Sequence, residues 1–282
     1  MITKWLLVNT SKKMARAVED IEKSFLLGMD TEYDSFRYFR AKLCLVQINA
    51  GDTTYIFDPL GDFDLSFLGK YFAERRKLKI LHAADNDIRL LKRDYSFDFV
   101  NIFDTHRAAL LLGFKELSLE KIIAEFTGIE LKKSKKMQRS RWDNRPLSDE
   151  QLAYAAQDVA HLSSLYKKQM EKLKKSGLEH VAQEAFARIA AAQWQDKKID
   201  RQGHTKIKGY RDLNQEQKDL LKKLYVWRFR RAEKINRPLF MFLSDRSLVS
   251  LAQDKESIEE YLSADKIKLY GEEIRKIVEE HS

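Results

Sequence analysis

Met29-Asp30-Thr31-Glu32-Tyr33 follows directly on the apolar run Phe25-Leu26-Leu27-Gly28. The run reads as a buried strand, and along a strand the side chains alternate between faces with a period of two. Asp30 and Glu32 therefore point the same way, at or near the strand's end. The fold must accommodate a buried strand that delivers two carboxylates side by side. Such charges repel, and the repulsion grows as water is removed. A cation held by both offsets it, and hard oxygen ligands suit Mg²⁺ or Mn²⁺. The same spacing also occurs on solvated surface, so the rest of the chain has to decide.

The flanking segments alternate in type. Leu6-Leu7-Val8 reads as a short strand, and Asn9, Thr10 or Ser11 can cap a helix with Met14, Val18 and Ile21 on one stripe. Leu43 to Ile48 and Thr54 to Phe57 form a hairpin around Ala50-Gly51-Asp52-Thr53. A helix over 67–76 leads to a strand at Leu78-Lys79-Ile80-Leu81, then a helix over 85–93 and a strand at Val100 to Phe103. Asp104 or Thr105 caps a helix through Leu112, and another helix runs over 118–126. This order implies an α/β domain, a mixed sheet with helices on its faces.

Residues 127–147 break the pattern. Lys132, Lys133, Lys135, Lys136, Arg139 and Arg141 crowd a stretch almost without apolar residues, which reads as a mobile basic loop suited to phosphate contact or as a solvated charge run. Ser148 then caps a helix expected to continue to about Lys175, and a further helix spans 178–194. Polar residues 196–210, with Gly203 and Gly209, read as a connection. From Leu213 the chain reads as a compact helical module, with Asn214 and Ser244 as caps. The expected divisions are 1–175 for the α/β domain, 176–210 for a helical linker and 211–282 for the all-α domain.

Charge narrows the partners. The 282 residues carry 52 Lys and Arg against 43 Asp and Glu, net +9, which favours a polyanion such as nucleic acid. A single cysteine, Cys44, cannot close an internal disulfide and fits a reducing cytoplasm. The apolar run Trp5-Leu6-Leu7-Val8 is too short for a signal peptide or a membrane span, so a soluble cytoplasmic protein with no membrane partner is expected.

Two further acidic positions matter. Asp87 sits just past a strand in the first turn of a helix, with Asp85 as its competitor and a helix-capping role as the alternative for Asp85. Tyr154 and Asp158 are four apart on a helix and share a face, and the small residues between them let that face approach another backbone closely. A half-buried core tyrosine and a surface acid are the plainer readings of that pair. A water set between a phenol and a carboxylate-held cation is an arrangement fit for hydrolysis.

Taken in order, Asp30-Thr31-Glu32, Leu43-Cys44-Leu45-Val46-Gln47, Leu81-His82-Ala83 ahead of Asp87, Phe103-Asp104-Thr105, Trp142, Arg145-Pro146-Leu147 and Tyr154-Ala155-Ala156-Gln157-Asp158 resemble the tyrosine-bearing branch of the DEDD exonuclease superfamily, and within it the ribonuclease D family. Ile207-Lys208-Gly209, Leu224-Tyr225-Val226-Trp227-Arg228 and Leu243-Ser244-Asp245 resemble the HRDC (helicase and ribonuclease D C-terminal) module. The resemblance covers nearly the whole chain. Ribonuclease D typically carries two HRDC modules and this chain has room for one, which bears on substrate range and on the closed-ring shape.

The resemblance implies a ribonuclease H-like α/β domain followed by a small all-α HRDC-like domain. It implies 3′-5′ exoribonuclease activity in tRNA 3′ processing or stable RNA maturation, releasing nucleoside 5′-monophosphates. Asp30, Glu32, Asp87 and Asp158 would be ligands of two divalent ions, Mg²⁺ or Mn²⁺, with Asp30 bridging them and Tyr154 orienting the attacking water. The backbone at Thr31 would lie near the terminal nucleotide, whereas His82 and Gln47 are explained by packing or hydrogen bonding and Asp104 by helix capping. The basic run, with Lys218, Lys222, Lys223, Arg228, Arg230 and Arg231 of the helical module, is expected to bind single-stranded RNA, with protein contact the alternative for the helical module. DNA as substrate, and a non-catalytic nucleic-acid-binding protein on the same fold, are the alternatives.

Overall fold

The computed structural model describes residues 4–131, 135–254 and 258–280. Its chain divides into two compact units, one of residues 1–34 and 42–195, the other of residues 35–41 and 196–282.

Among the described residues, the first unit holds a six-stranded sheet: β1 Lys4–Val8, β2 Leu26–Asp34, β3 Lys42–Ala50, β4 Thr53–Phe57, β5 Leu78–Leu81 and β6 Ile102–Asp104. The spatial order is β1-β4-β3-β2-β5-β6. The β2–β3 and β3–β4 pairs are antiparallel, and β1, β5 and β6 join in parallel, so the sheet is mixed as its sequence implies. Its helices are α1 Ser11–Lys23, α2 Gly69–Phe72, α3 Asp85–Tyr95, α4 Thr105–Leu111, α5 Leu119–Thr127, α6 Lys135–Gln138, α7 Asp149–Ala160, α8 Leu162–Lys175 and α9 Glu179–Ala191. Thr10 caps α1 and Asp104 caps α4 through side-chain oxygens that accept from Lys13 and Arg107 backbone N–H groups.

The two faces of the sheet are sorted by alternation. Leu27, Met29, Val46, Ile48, Tyr55 and Phe57 belong to the large core that also takes in Ile21 of α1 and Ile88 and Leu91 of α3. Leu45 and Ile56 face the other way, into a smaller cluster with Trp142 and with Leu152, Tyr154, Ala155 and Ala156 of α7. Burying each of these large side chains contributes roughly 1.5–3 kcal/mol.

The single helix expected from Ser148 to about Lys175 is in fact two. At His161 the backbone N–H bonds Val159 O, two residues back, and the chain turns from α7 into α8. The break falls where α7 meets β2, so tertiary contact overrides a sequence that is helical on both sides. The helix assigned to a linker, α9, instead packs on the first unit: Phe186 lies 4.7 Å from Phe103 of β6, and Ala182, Phe186 and Ile189 are in the large core. The helix expected over 67–76 shortens to a 3₁₀ turn at Ser66–Leu68 and α2.

The second unit is helical: α10 Gln215–Lys234, α11 Leu239–Phe242, α12 Asp245–Gln253, α13 Ile258–Tyr261 and α14 Ala264–Glu279. Asn214 and Ser244 cap α10 and α12 as their sequences imply. Leu220, Leu224, Leu248, Leu251 and Ile274 fill the core. His204 and Ile207, expected in a connection, are buried within this unit. So is Phe39 from the loop that follows β2, set edge-on against Phe229 at 5.2 Å, while the Arg40 backbone N–H donates to Asn236 Oδ1 at 2.8 Å. Among the described residues no helix is long and apolar enough to cross a membrane.

Candidate active site

The site grows out of β2. Asp30 pairs across the sheet with Gln47 and Glu32 with Leu45, so both carboxylates share the face that carries Leu45 and Ile56 under α7. On its other flank β2 pairs with β5 only from Leu26 to Gly28. Asp30 and Glu32 thus lie within β2 but beyond the end of β5, at the carboxyl edge of the parallel strands, where open α/β sheets present their ligands. The Thr31 backbone N–H donates to Asp30 Oδ1 at 2.9 Å.

Helix α7 brings the second pair. Ser148 and Gln151 form a reciprocal capping box at its start, and Gln151 Nε2 also donates to Ser140 Oγ at 2.8 Å. Tyr154 and Asp158 follow, 7% and 5% exposed, with Ala155 and Ala156 fully buried between them. Gly28 sets the approach: a Cβ there would stand 2.8 Å from Val159 O and 3.3 Å from Leu162 Cβ, so only glycine lets the end of α7 rest on β2 beside Asp30.

Electrostatics record the result. Burial pushes the Tyr154 phenol well above its ordinary range, and Asp158, Glu32 and Asp30 each push it further. Tyr154 therefore keeps its proton, and the charges of three of the four expected carboxylates act on it. A hydrogen bond from Gln138 of α6 acts the other way. Sequence reading missed Gln138, because nothing local marks a glutamine in a basic run as a partner of a tyrosine in another helix. The Trp142 ring lies 6.1 Å from Tyr154, in a segment tied down by Arg145, which donates to both Asp58 oxygens at 2.6 Å and to Cys44 O at 2.9 Å.

Asp87 reaches the edge from the other side of β2. Thr31 alternates away from Asp30, and its hydroxyl donates to Asp87 Oδ1. Burial raises the Asp87 pKa and the Asp104 charge adds to the rise, while the Thr31 bond opposes it. Asp104 does more than cap α4: its Oδ2 also accepts from the Ala84 N–H at 2.7 Å, fixing the turn ahead of Asp87. Asp85, the competing candidate, is exposed and ion-paired with Arg89 at 3.0 Å. His82 shares a 2.9 Å hydrogen bond with Thr105 Oγ1, which accounts for it. Gln47 is not accounted for in that way: it is fully buried and neither polar atom of its side chain has a partner. Each such group costs about 1–3 kcal/mol.

Among the described residues, no three His, Cys, Asp or Glu side chains stand ready-made around one point as a metal cluster. Asp87 accepts the Thr31 hydroxyl on the opposite side of β2. The donor set still fits divalent metal. It is all oxygen, and a buried phenol under three negative charges marks a field that a hard cation would neutralise.

Of the expected phosphate-binding residues, Lys132 and Lys133 lie outside the described residues, as does the side chain of Lys135. Lys136 and Arg139 are exposed on the rim of a depression of about 570 Å³ beside the start of α7, shared with Ser140, Pro146 and Gln151. Arg141 is paired with Asp143 at 2.9 Å. In the helical unit Arg228 is 3% exposed and held by Leu243 O at 2.9 Å and Asp245 at 2.7 Å, so it builds the fold rather than a binding surface. Lys222, Lys223, Arg230 and Lys234 instead line a groove of about 850 Å³ along α10 and α14, with Trp227.

A 3′-5′ exonuclease family matches residues 6–174, and the HRDC domain matches residues 217–278. Exosome complex component 10 homolog of Drosophila melanogaster is 38% identical over 166 residues, 58% of this chain and 18% of that protein. Ribonuclease D of Gluconacetobacter diazotrophicus is 30% identical over 250 residues, 88% of this chain and 62% of that protein. The chain thus spans less than two thirds of either relative. In fold it is similar to the catalytic core of RRP6 from Trypanosoma brucei, with a TM-score of 0.86 at 20% identity over 100% of this chain and 82% of that one. It is also similar to Escherichia coli RNase D, described as an exoribonuclease involved in structured RNA processing, with a TM-score of 0.74 at 23% identity over 99% and 75% of the two chains.

Proposed function

This chain belongs to the 3′-5′ exonuclease family and carries an HRDC domain, and from that premise we propose that it is a ribonuclease D-like 3′-5′ exoribonuclease releasing nucleoside 5′-monophosphates. One observation carries the reading most. Tyr154 and Asp158 come from a helix that Gly28 allows onto β2, and the charges of Asp158, Glu32 and Asp30 all act on the one phenol. The names of the curated relatives favour RNA over DNA. Trimming of structured RNA, tRNA precursors among them, is the proposed setting, in line with the description of the Escherichia coli relative.

In this reading Asp30, Glu32, Asp87 and Asp158 hold two divalent ions, Mg²⁺ or Mn²⁺. Bound there, the ions supply the charge that neutralises the phosphodiester and favours hydroxide over water. The residues do the rest. The protonated Tyr154 hydroxyl, held by Gln138, orients the attacking water. The Thr31 backbone lies beside the terminal nucleotide. Lys132, Lys133, Lys135, Lys136, Arg139 and Arg141 draw the phosphate backbone toward the site by long-range charge.

The test uses 5′-labelled RNA and DNA oligonucleotides with Mg²⁺, Mn²⁺ or EDTA. The expected result is a ladder shortening from the 3′ end of RNA that EDTA abolishes. Asp30→Ala should remove it; an undiminished ladder in that variant would sink the mechanism. Changing Lys136 and Arg139 to Ala should weaken RNA binding and lower the salt slope by about two, one for each phosphate that is no longer neutralised.

A further inference from the structure

Gln47 sits in the middle of β3 with no exposed surface, and both its amide nitrogen and its carbonyl oxygen lack a hydrogen-bond partner. Gln169, also fully buried, keeps a bond from Nε2 to Thr105 O at 2.9 Å. Gln47 keeps none. Its register partner on one side is Asp30 and on the other the apolar Ile56. Partners across a sheet share a face, with Cβ atoms about 4.5–5.5 Å apart. The Gln47 and Asp30 side chains therefore leave the sheet side by side beneath α7. The next polar pair along this face is closed on itself, Asn49 Nδ2 donating to Thr54 Oγ1 at 3.2 Å. What remains for Gln47 on this face are the groups of the site.

A buried amide with both ends unsatisfied adds nothing to a fold. Methionine has nearly the same length and shape and would fill the space without stranding a donor and an acceptor. We infer that Gln47 is a positioning residue: its amide nitrogen donates to the Asp30 carboxylate when the site is loaded, fixing the orientation in which Asp30 meets a cation. The partner that holds a ligating side chain in place commonly governs metal affinity and rate as strongly as this. The inference rests on the exoribonuclease reading of the same site.

Gln47→Met tests it, with Gln47→Leu beside it in case the longer side chain disturbs folding. Four quantities are measured on each: the thermal midpoint in EDTA, Mn²⁺ binding to the resting protein by calorimetry, and kcat and KM on 5′-labelled single-stranded RNA. The expected result is a midpoint unchanged or about 2–4 °C higher, with Mn²⁺ affinity and kcat each down about 10–100-fold and KM unchanged. Wild-type affinity and kcat at a raised midpoint would make Gln47 a packing residue and overturn the inference. A lowered midpoint with activity falling only in proportion to the folded fraction would do the same. A wild type inert on RNA that still binds Mn²⁺ more tightly than Gln47→Met would overturn the proposed function and keep this inference. A wild type that neither cleaves RNA nor binds Mn²⁺ would overturn both.

Discussion

The two sides of β2 treat their polar groups in opposite ways. Toward α3, Thr31 bonds Asp87 and the Tyr33 hydroxyl donates to Asp94 Oδ2 at 3.1 Å, while Arg93 pairs with that same aspartate at 2.6 Å. Each carboxylate there is bonded inside the protein, although the buried Arg93 Nη1 and Arg89 Nε atoms of α3 make no hydrogen bond. Toward α7, the charges of Asp30, Glu32 and Asp158 all act on the Tyr154 phenol, and Gln47 has both polar atoms stranded. There, like charge collects beside an idle amide. The first side is what a fold does for itself. The second leaves something for a ligand to complete, and it should be stabilised by one.

This contrast can be broken by substitution. On the α7 side, activity should fall while stability holds or rises. The largest effect is expected for Asp30→Asn, with exonuclease rate down about 10³-fold or more and the thermal midpoint in EDTA unchanged or slightly higher, because one of the crowded charges is gone. Tyr154→Phe comes next, with kcat down about 10²-fold and KM little changed. A Tyr154→Phe enzyme with full kcat would show that the phenol only packs. Gly28→Ala attacks the frame that creates the α7 side: helix and strand must part, at a cost of about 1–3 kcal/mol, and denaturant midpoint and rate should fall together. On the α3 side the order reverses. Thr31→Val keeps the shape and backbone but removes the hydroxyl on Asp87, and should lower stability by about 1 kcal/mol with the rate within a few-fold. A Thr31→Val protein that loses more rate than stability would erase the distinction between the two sides.

Much of the site was legible because its rules are local. A period of two sets Asp30 and Glu32 on one face, and a spacing of four does the same for Tyr154 and Asp158. The caps at Thr10, Asp104, Ser148, Asn214 and Ser244 are likewise bonds between neighbours in the chain, and all five form. Ala155 and Ala156 advertise a close approach, although the residue that makes room for it, Gly28, is 127 positions before Ala155 and bears no such mark.

What only the tertiary structure decided joins residues far apart in sequence. The turn at His161 divides a stretch whose helical pattern is continuous, because α7 must stop where Val159 meets β2 and α8 must pack elsewhere. Helix α9 looks like a linker by position, yet its apolar face is buried against β6. Thr31 and Asp87 are 56 residues apart, and Arg228, basic and on an exposed-looking helix, is drawn into the helical core by Asp245 and a carbonyl. No short pattern encodes such pairs, since each depends on where the rest of the core brings two backbones together. For Asp30 and Glu32 the sequence determined that two carboxylates would share a face; the structure decided that Asp158, Tyr154 and Gln47 would face them, with Asp87 held one side away.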